Sequence, residues 1–92
     1  MTTKQYETDA IIPTGEILSE ELEVRGISPR EFAQQLGVSS RFMNGLLLGE
    51  KPLTAEVALK MEQALGISAQ TWLNLESSYR LQLAKHKQAK SA

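Results

Sequence analysis

Apolar residues recur along most of this chain at three- and four-residue spacing, the period of a helix with one buried face. They fall in four groups: Ile17, Leu18, Leu22; Phe32, Ala33, Leu36; Met43, Leu46, Leu47; and Val57, Ala58, Met61, Leu65. Period-two alternation, the mark of a strand, is confined to a short stretch around Ile11-Ile12. The groups are separated by one recurring phrase: Gly26-Ile27-Ser28, Gly37-Val38-Ser39 and Gly66-Ile67-Ser68. Glycine suits the left-handed residue just past a helix end, because it has no Cβ to strain there. Serine suits the N-cap of the next helix, where its hydroxyl accepts a hydrogen bond from an unpaired backbone amide.

The aliphatic residue inside each phrase is placed to staple against an apolar residue four positions after the cap. Those residues are Phe32, Met43 and Trp72. Ser28-Pro29-Arg30-Glu31 adds proline at the first helical position and Glu placed for a capping box. Thr14 and Thr54 stand where two further helices could be capped. The pattern therefore predicts an all-α chain of five helices, at about 15–25, 29–36, 40–48, 55–65 and 69 to roughly 86.

Two of these helices, Pro29–Leu36 and Ser40–Leu48, are joined by only Gly37, Val38 and Ser39. Short helices on so short a turn must cross steeply, which is the geometry of a helix-turn-helix at about 28–48. A close crossing wants a small residue on the first helix, glycine in the turn and aliphatic residues inside the second. Ala33, Gly37, Met43 and Leu46 supply them. The alternative is a helical bundle whose tight turn carries no function.

Composition narrows the field further. The chain has 92 residues, enough for one domain, with 41% apolar and 23% charged residues. It has no cysteine and one histidine, His86, so disulfides, thiol chemistry and a histidine metal cluster are excluded. No phosphate-cradling glycine loop and no Ser/His/Asp set is present, and the chain reads as a non-enzyme with no cofactor or small-molecule substrate. No apolar run approaches a membrane span and no signal segment is visible, so the expected location is the cytoplasm. The net charge is −1, with six basic and nine acidic residues between Thr14 and Arg80. After Arg80 come Lys85, Lys87 and Lys90 without an acid. Any anion-binding surface is thus local or supplied by the tail.

At the level of motifs the chain resembles the HigA/VapI antitoxins of plasmid-maintenance (toxin–antitoxin) systems, within the repressor-like (XRE) helix-turn-helix group. The resemblance rests on Pro13-Thr14-Gly15-Glu16-Ile17-Leu18, Leu36-Gly37-Val38-Ser39, Asn44, Gly49, Leu53-Thr54, Ala58-Leu59, Ala64-Leu65-Gly66 and Trp72-Leu73-Asn74-Leu75, in that order. It spans about Pro13 to Leu83, and the Trp-Leu-Asn-Leu tetrad is its most specific part. It implies a five-helix repressor-like domain with an extended C-terminal helix. It also implies a cytoplasmic homodimer that binds a palindromic operator in double-stranded DNA and represses its own operon. The implied protein partner is a toxin that cuts messenger RNA. The alternatives are a free-standing XRE-type regulator without a toxin, and a helix-turn-helix module reduced to protein binding.

On the second helix of the pair, Met43, Leu46 and Leu47 form the inward stripe. The outward face then carries Ser40, Arg41, Asn44, Gly45 and Leu48, with Ser39 at the tip and Phe42 flanking it. Arg41 is placed to read guanine and Asn44 adenine in a major groove. Helix N-termini near Ser28 and Ser39 suit phosphates, and Arg30, Gln34 and Lys51 are further backbone candidates. Against the family pattern, this chain has Ser40 where a polar or basic residue is usual, Gly45 for Glu, Leu48 for Asn and Glu50 for a basic residue. Fewer neutralised phosphates predict weaker binding and a shallower salt dependence.

The last helix is too long to be covered by four short ones. Trp72, Leu75, Tyr79 and Leu83 are expected to face the domain, and Leu73 and Leu81 a second subunit. The expected organisation is an N-terminal arm at 1–13, the DNA-binding domain at 14–86 and a basic tail at 87–92, which would add nonspecific attraction to DNA.

Overall fold

Each Gly-aliphatic-Ser phrase closes one helix and opens the next. In the computed structural model, which describes residues 11–91, the elements are α1 (Thr14–Arg25), α2 (Pro29–Leu36), α3 (Ser40–Leu47), α4 (Ala55–Leu65) and α5 (Ala69–Ser91). Gly37 takes a φ of 76°, and the Val38 amide turns back to donate to the Ala33 carbonyl at 3.0 Å. A side chain at that position would be strained, which is why the chain spends a glycine on this turn. Gly26 and Gly66 end α1 and α4 in the same left-handed conformation.

The starts are equally local. Ser28 Oγ accepts from the Glu31 amide at 3.1 Å while the Glu31 carboxylate accepts from the Ser28 amide at 2.9 Å, a complete capping box. Ser39 accepts from the Phe42 amide at 3.0 Å, Thr54 from Val57 at 3.3 Å and Ser68 from Thr71 at 3.1 Å. The α5 start has a second support, since the Ala69 amide donates to the Glu62 carboxylate of α4 at 2.8 Å. Ile27, Val38 and Ile67 all pack against the core, as staples should.

Three boundaries differ from expectation. Pro13, not Thr14, is the N-cap of α1; the Thr14 side chain turns inward and is buried, leaving no side-chain cap. The helix expected to reach residue 48 ends at Leu47, with Leu48 as its C-cap. And α5 passes residue 86 and continues to Ser91, because no glycine or proline interrupts it. Ile11 to Pro13 form no strand, and most of the expected N-terminal arm, residues 1–10, lies outside the described residues.

Every helix feeds one core. Leu18 and Leu22 from α1, Phe32 from α2, Met43 from α3, Met61 from α4 and Trp72 from α5 are almost completely buried. α5 packs chiefly on α4 and also on α1, and α2 lies against α1, α3 and α4. Leu73, expected off the core face of α5, packs against the core beside Leu75, while Tyr79 and Leu83 are half-buried and Leu81 is exposed. One charge is inside as well: Glu76 of α5 is only 8% exposed.

Candidate nucleic-acid interface

The apolar stripe of α3 points inward, which leaves Ser40, Arg41 and Asn44 of that short helix facing out. Met43 and Leu46 are buried, Leu47 is half-buried, and Ser40, Arg41 and Asn44 are exposed. Between the N-terminal ends of α2 and α3 lies an open depression of about 510 Å³ lined by Ser28, Pro29, Arg30, Ser40 and Asn44. Three sequence candidates, Arg30, Ser40 and Asn44, are therefore brought to one surface. Gln34 is exposed one helical turn beyond Arg30 on α2, and Arg41 follows Ser40 in the first turn of α3. Ser39 is exposed at the tip, its hydroxyl engaged in capping α3. Phe42 is half-buried and packed against the core. No acidic residue occupies the first turn of α3. The surface thus offers two cations, two carboxamides and hydroxyls beside helix N-termini, groups suited to phosphates and base edges.

Gly45 corrects the sequence reading. It is buried rather than outward-facing, because the loop after α3 folds back over it. The Glu50 and Lys51 amides both donate to the Gly45 carbonyl, at 2.8 and 3.1 Å, and a Cβ on Gly45 would stand 2.6 Å from Lys51 Cγ. The missing side chain makes room for the Lys51 stem, not for a groove. Lys51 is itself exposed and lies across α3. Gly49 sets this return with a φ of 80°. Leu48 is 68% exposed at the helix end.

A second group of residues reaches the same loop from α5. The Glu76 carboxylate accepts from the Leu53 amide at 3.1 Å and from Arg80 Nε at 2.8 Å. Arg80 Nη2 stands 3.4 Å from the carbonyl oxygens of both Gly49 and Lys51. Burial pushes the Glu76 carboxyl up, but Arg80, the Thr14 hydroxyl and the Leu53 amide together outweigh it and hold it below the usual carboxylate value.

Comparison with known proteins decides what this arrangement belongs to. The family model described as helix-turn-helix matches residues 18–72. Virulence-associated protein I of Dichelobacter nodosus is 39% identical over 80 residues, covering 86% of this chain and 73% of that protein. Antitoxin HigA-1 of Vibrio cholerae is 37% identical over 71 residues, covering 76% of this chain and 67% of that protein. The solved structure of the Pseudomonas aeruginosa antitoxin HigA with higBA promoter aligns with a TM-score of 0.82 at 34% identity, covering 89% of this chain and 90% of that one. This chain belongs to the HigA/VapI antitoxin family.

It has the DNA-binding helix-turn-helix fold of the HigA type, in a family of regulators and antitoxins rather than enzymes. Among the described residues no helix is long and apolar enough to cross a membrane. The segment matched by the family model ends at Trp72, so Glu76 and Arg80 lie beyond it. Their four-residue spacing was visible in the sequence, yet it reads there as an ordinary exposed helix pair. Nothing in it announces a loop arriving from more than twenty residues away.

Proposed function

We propose that this HigA-type chain is a homodimeric, cytoplasmic antitoxin that binds a palindromic operator, represses its own operon and neutralises a partner toxin that cuts messenger RNA. The observation that carries the DNA half of this reading is the open face of α3. Arg41 and Asn44 stand exposed beside the depression between the α2 and α3 N-termini. Arg41 would read guanine and Asn44 adenine, while Ser39, Ser40, Arg30, Gln34 and Lys51 meet the backbone. In a dimer, two copies of α3 about 34 Å apart would enter successive major grooves. Family membership supports the toxin half. Residues 14–86 would form the DNA-binding domain, with the arm before it and the basic stretch after it.

The test is an electrophoretic shift on the DNA upstream of the chain's own gene. Arg41→Ala and Asn44→Ala should each weaken binding by about tenfold, within the 1–3 kcal/mol of one bidentate base contact. Equal affinity for operator and scrambled DNA would end the repressor reading. Co-purification with the product of an adjacent small basic reading frame tests the toxin. The exposed Leu48, on an α3 end flanked by Glu50, favours a second reading in which the module serves protein binding alone. The same shift assay separates the two.

A further inference from the structure

We propose that Glu76 and Arg80 are positioning residues for DNA binding: from α5 they hold the Gly49–Leu53 loop so that Lys51 is set in advance across α3 for a phosphate contact. The proposal rests on the DNA-binding reading above. Its basis is a chain of contacts. Glu76 holds the far end of the loop through the Leu53 amide, and Arg80 reaches the carbonyls of Gly49 and Lys51 at the near end and middle. The Tyr79 ring closes the same end, since a Cβ on Gly49 would lie 3.2 Å from its hydroxyl. Between these anchors Glu50, Lys51 and Pro52 are exposed. The Lys51 stem in turn lies against Gly45, the glycine of α3 that leaves room for it.

The Glu76–Arg80 pair is only half inside, with the carboxylate buried and the guanidinium partly exposed, so it is a modest source of stability: the cost of taking Glu76 out of water offsets much of the attraction. In some proteins such a pair instead selects one geometry, and we assign that role to this one. Here the geometry selected is that of a loop whose only basic side chain sits beside the recognition helix. A lysine on a free loop must lose backbone and side-chain freedom when it meets a phosphate, and a lysine already held in place loses less. Arg80 and Glu76 therefore act through Lys51, without touching DNA themselves.

The experiment is a titration of the chain's own upstream duplex over a series of salt concentrations. The variants are Lys51→Ala, Arg80→Ala, Glu76→Gln and the Lys51→Ala/Arg80→Ala double, each checked by circular dichroism to be folded at the assay temperature. Lys51→Ala and Arg80→Ala should each weaken binding by about fivefold and reduce the salt slope by about 0.9 per subunit, the loss of one phosphate contact. The double variant should be no weaker than Lys51→Ala alone. Glu76→Gln removes a negative charge and on net charge alone would tighten binding; positioning requires it to weaken binding instead. Additive effects of Lys51→Ala and Arg80→Ala, or a Glu76→Gln variant that binds as tightly as the parent, overturn the proposal. Should Arg80→Ala not fold, Arg80→Lys and Glu76→Gln carry the decision: both should weaken binding with a smaller salt slope, and unchanged binding by either overturns it. A parent chain that does not prefer its own operator to scrambled DNA brings down the DNA-binding reading and this proposal with it. Operator preference with unaffected variants removes only the proposal.

Discussion

Gly15 of α1 abuts the Leu47 carbonyl at the end of α3, with no space between them for a side chain. A Cβ at Gly15 would collide with the carbonyl oxygens of both Leu46 and Leu47, and backbone atoms cannot rotate aside. The two helices would have to separate, disturbing the packing of Leu18 and Leu46 beside the contact. Gly15→Ala is therefore expected to lower unfolding stability by about 3 kcal/mol, at the upper end for overpacking. Gly26→Ala is the control. It has open space around it but a φ of +71°, and should cost about 1 kcal/mol. Denaturant midpoints for the two variants measure the difference, and equal losses would show that the α1–α3 approach is not tight.

The capping box at the start of α2 should be measurable on its own. Ser28→Ala leaves the Glu31 amide without its acceptor and is expected to cost about 1 kcal/mol, read as a lower urea midpoint at unchanged m-value. Glu31→Ala removes the reciprocal bond, and the double variant should cost less than the two single losses added.

Acid should weaken the fold partly through Glu76. Its carboxyl is held below the ordinary value of 4.5, so the folded state favours the ionised form. The resulting stabilisation is fully present above that value and is lost as pH falls through the lower value of the folded protein. Glu76→Gln cannot titrate. The gap in melting temperature between the parent and this variant should therefore be largest near neutrality and narrow between about pH 5 and pH 3. A gap that stays constant through that window would mean that the carboxylate charge is not its source.

Residues 84–89 of α5 are all exposed, in contrast to the half-buried Gln82 and Leu83 before them. Ending the chain after Leu83 should accordingly move the melting temperature by only about 2 °C, while removing Lys85, Lys87 and Lys90. A filter-binding assay on scrambled DNA should then show weaker attraction and a reduced salt dependence. A large drop in melting temperature would place that end of α5 in the fold's own support.

The helix joints were legible because each is a local transaction between a glycine, a serine and amides a few positions away. Thr54 and Ser68 could be read as caps for the same reason. Thr14 is not legible in the same way, because its side chain is buried under the packing of other helices, which spacing along α1 does not reveal. Gly45 failed differently. Helical periodicity assigns a face, but it cannot show that a returning loop will cover that face with the stem of Lys51. Arg41 and Asn44 raise no such problem: among the described residues no segment covers them, and their exposure follows from the inward stripe of Met43 and Leu46. Leu73 shows the limit of a single stripe on a long helix: it sits beside the start of α5, where the core is wide enough to take neighbouring positions as well.

The three Gly-aliphatic-Ser joints also bear on how fast the molecule takes shape. The bonds that close them span at most seven residues, as from the Ile27 amide to the Leu22 carbonyl, from Val38 to Ala33 and from Ala69 to the Glu62 carboxylate. Such contacts need little loop entropy, and helical domains rich in them reach the native state within microseconds to milliseconds. A newly synthesised copy would thus have this fold ready for association with a second copy soon after α5 leaves the ribosome.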